Sequence, residues 1–148
     1  MLRFFTVYGP KQRPDLAINK FTRLMMEGKE IPMFGDGTTS RDYTYIDDIV
    51  KGIISSCNYV QKNLEVYEII NLGNSLPTSL IDMINTIGEV LEIQPKIKQM
   101  PMQPGDVTRT FADITKAKKL LNYKPKTTFK DGIKNFVNWY KDNTELYK

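Results

Sequence analysis

Leu2-Arg3-Phe4-Phe5-Thr6-Val7-Tyr8 opens the chain, and Gly9-Pro10 ends this run. Its apolar residues follow one another rather than alternating with polar ones, a pattern typical of a strand that is covered on both faces. Strands of this kind belong to parallel sheets with helices packed over them. We therefore predict an α/β fold in which residues 2–8 form a buried strand of a parallel sheet.

The remaining chain alternates between helical and extended patterns. Apolar residues at helical spacing predict five helices, which begin near Pro14, Ile46, Ser79, Thr115 and Thr128. Short apolar runs predict strands over 31–34 and 66–72, and residues 97–100 are predicted to form one more short strand. Gly35-Asp36-Gly37 predicts a turn. Cys57 falls on the apolar side of the second helix, so we interpret it as a buried, unreactive thiol.

Composition limits both the size of the fold and its chemistry. The chain has 148 residues, of which 41% are hydrophobic and 26% charged, as expected for one soluble domain. It contains no histidine and one cysteine, which excludes His-dependent nucleophilic triads, His-ligated metals and an internal disulfide. The first apolar run carries Arg3 and is too short to span a membrane. We expect a cytoplasmic protein with no metal site and no membrane partner.

The positive charge is concentrated at the C-terminal end. Residues 116–148 hold nine Lys and Arg against three Asp and Glu, whereas residues 1–115 hold twelve against fourteen. The lysines fall between apolar positions, as on a solvated helix face, and few aromatic residues are interleaved to stack bases. We therefore expect no nucleic-acid partner, although a non-enzymatic module that binds an acidic partner through these basic helices is an alternative.

A family resemblance rests on several short motifs. In chain order they are Leu2-Arg3-Phe4-Phe5-Thr6-Val7-Tyr8-Gly9-Pro10, Arg13-Pro14-Asp15, Phe34-Gly35-Asp36-Gly37, Ser40-Arg41-Asp42-Tyr43-Thr44-Tyr45-Ile46-Asp47-Asp48, Asn71-Leu72-Gly73, Pro104-Gly105-Asp106 and Ala112-Asp113-Ile114-Thr115-Lys116-Ala117. Together they resemble the C-terminal half of extended short-chain dehydrogenase/reductase nucleotide-sugar epimerases, with the closest likeness to UDP-glucuronate 4-epimerases. The resemblance implies a substrate-binding lobe with late strands of a Rossmann-type sheet.

Two motifs of that family do not occur in this chain. Its members carry a Gly-rich turn that holds the NAD pyrophosphate and a Tyr-x-x-x-Lys pair that transfers protons. Residues 35–40 have Ser40 in place of the third glycine, and no tyrosine is followed by lysine at the required spacing. We expect residues 1–148 to form a single substrate-binding lobe without the N-terminal NAD-binding domain. We expect this lobe to bind no NAD and to catalyse no reaction alone. The missing N-terminal half is its expected protein partner.

The resemblance assigns two residues to the diphosphate of a UDP-sugar. It implies that Arg41 contacts the diphosphate and that Tyr43 lies near the ribose or phosphate. An arginine fork suits this task because it bonds two oxygens and stays charged at any working pH. The alternative is that Arg41 is an exposed strand residue paired with Asp42 or Asp36.

The resemblance also implies a uracil slot and a ribose contact. Pro32 and Phe34, with the loop around Leu76, correspond to the slot, although Phe34 could equally be plain core. Asp106 corresponds to the acid that binds the ribose hydroxyls, or it forms a Gly-Asp turn. Gln103 stands where other members have an arginine. This departure would shift neutralisation of the diphosphate onto Arg41 or Arg109.

Substrate choice depends on Thr6 and Arg13. In the glucuronate epimerases that this chain resembles, a strand threonine and an arginine after the Gly-Pro turn bind the sugar carboxylate. The alternative makes Thr6 an ordinary β-branched strand residue and Arg13 a surface turn residue. The Asp47-Asp48 pair at a helix start is interpreted as complementing the helix dipole rather than as an acid–base pair.

These observations lead to one function hypothesis and two alternatives. The chain is expected to be the UDP-sugar-binding part of an NAD-dependent 4-epimerase that interconverts UDP-glucuronate and UDP-galacturonate. A related nucleotide-sugar dehydratase or decarboxylase is the first alternative. The second is the non-enzymatic module that binds an acidic partner through the basic C-terminal helices.

Overall fold

The computed structural model describes residues 1–143, which form seven short strands and five helices. The strands are β1 (Leu2–Phe4), β2 (Thr6–Tyr8), β3 (Ile31–Phe34), β4 (Ser40–Tyr45), β5 (Ile70–Leu72), β6 (Pro77–Ser79) and β7 (Ile97–Met100). The helices are α1 (Ala17–Met26), α2 (Ile46–Lys62), α3 (Leu80–Leu91), α4 (Thr115–Leu121) and α5 (Phe129–Asp142). The predicted α/β class is confirmed.

The opening run divides at Phe5 into two strands that belong to different sheets. β1 pairs in parallel with β5, placing Leu2 opposite Ile70, and β2 pairs in parallel with β4, placing Thr6 opposite Tyr43. The parallel pairing agrees with the sequence prediction, but the predicted burial is wrong for β1, since Phe4 is 51% exposed. In the described part of the chain β1 has a strand partner on one side only, so its other edge is open.

The remaining strands complete small sheets around the middle of the chain. β6 adds to β4 in the antiparallel sense, giving the order β2-β4-β6, and β3 pairs in parallel with β7. β6 has no counterpart in the sequence prediction. The predicted strand over 66–72 is wrong for residues 66–69, and strand pairing begins only at Ile70. Tyr67 and Ile69 are 85% and 44% exposed, so these apolar residues have no sheet to cover them.

Two hydrophobic cores form within residues 1–143. The larger core packs α1, α3 and α5 against β3 and β4, with Ile84, Ile133 and Phe136 completely buried. The smaller core joins α2 and α4 to β5 around Leu72. Here α2 approaches β5 closely at Gly52, where a Cβ atom would lie 2.8 Å from Leu72 Cδ1. A side chain at this position would therefore push the helix away from the strand.

Helix starts agree well with the sequence prediction. Ser79 Oγ accepts the Asp82 N–H of α3 at 3.1 Å, and Thr128 Oγ1 accepts the Asp131 N–H of α5 at the same distance. The buried Cys57 is a wrong prediction, because α2 packs into the smaller core through Ile49 and Ile53, and Cys57, one turn beyond Ile53, is exposed. No helix between residues 1 and 143 has the length and apolar character needed to cross a membrane.

Asp48 joins the start of α2 to the segment that precedes α5. Its side chain is buried and accepts the backbone N–H groups of Lys126 and Thr127 at 3.1 and 2.9 Å, while Lys51 Nζ lies 3.2 Å away. Burial would raise the pKa of the Asp48 carboxyl, but these hydrogen bonds and the Lys51 ammonium outweigh burial and hold the pKa below its ordinary value. Asp48 therefore contributes a tertiary contact as well as the expected negative charge at the helix start.

This contact predicts a specific dependence of stability on pH. Because folding lowers the pKa of Asp48, its contribution is fully present above the ordinary carboxyl pKa of about 3.9 and is lost as pH falls through the lower folded value. In urea unfolding, Asp48→Asn should cost stability at pH 7, and the difference from the wild type should shrink towards pH 3. The exposed neighbour variant Asp47→Asn is the control. An Asp48→Asn difference that is the same at both pH values would contradict this assignment.

Candidate functional site

The side chains of strand β4 alternate between two sides of the strand. Residues two apart in a strand share a face, so Arg41 and Tyr43 lie on one side and Asp42 and Thr44 on the other. Arg41 and Tyr43 both line the cavity described below, whereas Asp42 and Thr44 are buried in the protein. The alternation of β4 thus separates a cavity-facing side from a structural side.

Asp42 fixes the structural side of β4. Its completely buried carboxylate accepts three backbone N–H groups, from Asn74 at 2.8 Å and from Ser75 and Ala112 at 2.9 Å. One side chain therefore ties two loops that are far apart in sequence to the strand that carries Arg41. Because the Asp42 carboxylate binds these backbone groups, it does not form the ion pair with Arg41 that was one alternative in the sequence prediction.

Six of the nine predicted site residues line one cavity of about 330 Å³. They come from β3, from β4 and from the loop after β7, and they are Pro32, Phe34, Arg41, Tyr43, Gln103 and Asp106. Helix α1 supplies another wall, and Asp15, Thr39 and Leu80 complete the lining. Phe34 is only partly buried, as expected for a residue that faces a cavity rather than the core. The cavity thus combines an apolar bed with charged groups, as small-ligand sites do.

Arg41 and Asp106 form the main ion pair of this cavity. Arg41 Nη2 donates to Asp106 Oδ1 at 2.5 Å, and Arg41 Nη1 donates to the Ser40 carbonyl oxygen at 3.0 Å. The second alternative partner, Asp36, instead accepts the Thr38 N–H and hydroxyl, so that alternative is also wrong. A guanidinium has five N–H donors, and the remaining ones stay available to an anion.

Tyr43 provides a neutral hydrogen-bonding group beside this ion pair. It is 7% exposed and packs edge-on against Tyr8, with ring centroids 6.2 Å apart, and at a tilt against Phe129 at 5.4 Å. Burial raises the pKa of the Tyr43 hydroxyl by more than the nearby Arg41 lowers it. Tyr43 therefore keeps its proton near neutral pH and can donate it to a ligand oxygen.

Three predicted site residues lie outside the cavity lining. Thr6 is partly buried next to Tyr43 in the strand register, and Arg13 is exposed and bound to Asp15 at 3.0 Å. Leu76 is 69% exposed and lines a separate groove with Pro77 and Phe129. The role assigned to each of these residues stays a prediction.

Sequence reasoning missed the contribution of α1. Ala17, Lys20 and Phe21 line the cavity, and their spacing places them on one face of the helix. The apolar pair at positions 17 and 21 was visible in the sequence, but the lysine between them gave no signal of its own. Arg109, considered as a second cation for the diphosphate, is exposed and lies 5.5 Å above the Phe111 ring rather than in the cavity.

Comparison with known proteins identifies the class. The family model described as GDP-mannose 4,6 dehydratase matches residues 1–136, so this chain belongs to that family. Within it, the chain has the fold of the C-terminal, substrate-binding lobe of extended short-chain dehydrogenase/reductase nucleotide-sugar epimerases. The mixed α/β fold with small parallel sheets agrees with that of the solved relatives, which confirms the fold class predicted from the sequence.

UDP-sugar 4-epimerases are among the similar proteins. UDP-glucuronate 4-epimerase of Thermodesulfobacterium geofontis is 44% identical over 149 residues, covering 100% of this chain and 45% of that protein. The Bacillus cereus UDP-glucuronic acid 4-epimerase, solved with UDP-glucuronic acid and NAD, is 37% identical with a TM-score of 0.88, over 95% of this chain and 44% of that one.

The Thermotoga maritima UDP-glucose 4-epimerase, solved with UDP-glucose, is 30% identical with a TM-score of 0.85 and covers 97% of this chain and 46% of that one. The chain thus spans less than half the length of the curated relatives and solved structures described above.

The role of Asp42 can be tested by its removal. Asp42→Ala would leave three backbone N–H groups without their acceptor, each costing about 1–3 kcal/mol. We expect the free energy of unfolding, measured by urea denaturation, to fall by roughly 3 kcal/mol or more. Asp36→Ala, which removes a carboxylate with only local bonds, should leave the urea midpoint nearly unchanged. Equal effects of the two variants would show that Asp42 is not the anchor of these loops.

Proposed function

We propose that this chain is the UDP-sugar-binding lobe of an NAD-dependent 4-epimerase that acts on UDP-glucuronate and yields UDP-galacturonate. The observation that carries the proposal is the cavity, which gathers six residues that sequence resemblance assigned to UDP binding. Its apolar bed suits a flat base, and its cations and neutral hydroxyl suit a diphosphate and a ribose. Several similar proteins are UDP-glucuronate 4-epimerases, which supports this substrate.

The work of this lobe is to hold the ligand while its sugar changes orientation. Inversion at one sugar carbon requires the ring to present both of its faces to the same redox group. The UDP portion must therefore remain bound throughout, and Arg41, Tyr43 and Asp106 would hold it at the diphosphate and ribose. Pro32 and Phe34 would hold the base. Positioning of this kind is the protein's contribution where a cofactor carries the redox chemistry.

The residues of this chain do not fit the NAD pyrophosphate. The glycine pair Gly35 and Gly37 leads into strand β4 rather than into a helix, so no helix N-terminus follows to present its N–H groups. The Tyr-x-x-x-Lys pair is absent from the 148 residues. We therefore assign no step of the reaction to NAD on this chain and propose that a dinucleotide-binding half supplies both features.

The surface around β1 supports such a partner half. The open edge of β1 offers unpaired backbone groups, and the side chain of Phe4 in this strand is half exposed. On α2, the apolar Val60 is 54% exposed and lines one groove with the partly buried Ile53 and with Leu2 of β1. A dinucleotide-binding half that extends the parallel sheet from β1 would cover the open strand edge. It would also cover the apolar side chains on α2 and so remove their contact with water.

Calorimetric titration with UDP tests the binding function. We expect the 148-residue chain to bind UDP and Arg41→Ala to bind it roughly tenfold more weakly, because a charge-assisted hydrogen bond to phosphate is lost. Arg109→Ala is the matched control, since it removes the same charge from outside the cavity and should bind as the wild type does. The non-enzymatic alternative predicts the reverse pattern, which is no UDP binding and a nucleic-acid affinity that falls steeply with salt.

A turnover assay tests the need for the second half. With NAD and UDP-glucuronate, the chain alone should give no UDP-galacturonate, whereas addition of a dinucleotide-binding half from a similar epimerase should restore conversion. Conversion by the chain alone would contradict the proposal. Analysis of the product separates epimerisation from dehydration, the reaction in the family model's description, and from decarboxylation, because only epimerisation leaves the mass of the sugar nucleotide unchanged.

A further inference from the structure

Three of the four charged residues that line the cavity already have partners. The lining contains Asp15, Lys20, Arg41 and Asp106. Arg41 is bound to Asp106, and Asp15 is bound to Arg13 at the rim. Each of these pairs cancels its own charge. Lys20 takes part in no ion pair within residues 1–143, so it is the uncompensated charge of the lining.

The position of Lys20 suits contact with an anion. It lies on α1 between Ala17 and Phe21, which line the same cavity, and it is partly buried. A lysine can pack its apolar stem along such a wall while its ammonium group reaches the polar space. Arg41 reaches the cavity from β4, a separate segment. An anion in the cavity could therefore be bound from two segments at once.

The charge of the cavity makes a second cation necessary. A diphosphate carries about two negative charges, and Asp106 already offsets Arg41. Gln103, which the resemblance places where related proteins have an arginine, brings no charge, and Arg109 lies outside the lining. Without Lys20, the paired charges around the cavity would cancel, and no net positive charge would remain to offset the diphosphate.

We propose that Lys20 is a diphosphate ligand of this site and supplies the positive charge that Gln103 does not. The inference rests on the proposed binding of a UDP-sugar in this cavity. It assigns Lys20 to the phosphates and not to the sugar carboxylate. Loss of the Lys20 charge should therefore affect every ligand that carries the diphosphate, whatever its sugar.

Calorimetry with Lys20→Met tests this assignment. We expect UDP, UDP-glucose and UDP-glucuronate each to bind roughly tenfold more weakly, with uridine binding unchanged. Lys20→Arg should retain most of the UDP affinity, and circular dichroism should show that both variants fold. Lys29→Met is the matched control, because it removes the same charge at an exposed position outside the cavity and should bind UDP as the wild type does.

A compensating variant sharpens the test. Gln103→Arg restores a cation in the loop, so the double variant Lys20→Met with Gln103→Arg should recover much of the UDP affinity. Wild-type affinity for UDP in Lys20→Met would overturn the role of Lys20 while leaving the site itself intact. Weakening of UDP-glucuronate alone would overturn it in favour of a carboxylate contact. Failure of the wild-type chain to bind UDP would instead refute the proposed function.

Discussion

The buried carboxylate of Asp42 is the constraint on which the arrangement of the site depends. It holds β4 against the backbone at residues 74, 75 and 112, and it does so from the face of the strand opposite to Arg41 and Tyr43. Because strand side chains alternate, the anchoring of Asp42 dictates where its neighbours point. A structural hydrogen-bond network thus fixes the orientation of the side chains that line the cavity from the opposite face of the strand.

The cavity next to this strand is nearly neutral in its lining, although the chain as a whole is basic. The lysines between residues 116 and 143 lie on exposed surfaces, and several are paired with nearby carboxylates, such as Lys116 with Glu68 and Lys130 with Glu89. Their charges are therefore partly neutralised and screened by solvent. Net charge is consequently a poor guide to this site, where the pairing of individual residues decides what an anion meets.

Local sequence signals predicted the elements that depend on local interactions. Ser79 and Thr128 begin helices because each side chain accepts an N–H three residues later, a relation that is complete within one turn. The break at Phe5 and the strand β6 depend on partners far along the chain, so no local pattern could reveal them. The apolar residues Val66, Tyr67 and Ile69 lie outside any strand for the same reason, since burial requires a neighbour as well as a suitable side chain.

The residues of the candidate site also divide into those that the sequence could predict and those that depend on tertiary contacts. Resemblance to a family gave six of the residues that line the cavity, because their motifs occur in order along the chain. Lys20 was missed because its position matters only once α1 packs beside β3, which is a tertiary relation. Leu76 was assigned to the uracil slot by the same resemblance, but it lies in the turn before β6 and lines a different groove.

The division at Phe5 makes the length of the first segment as important as its composition. One residue separates the strand that belongs to the smaller core from the strand that belongs to the larger one. An insertion or deletion of one residue there would turn the side chains of one strand to the opposite face of its sheet. Either Leu2 or Tyr8 would then no longer reach the hydrophobic core in which it packs. Substitutions at this link should therefore be tolerated in evolution far more readily than changes in its length.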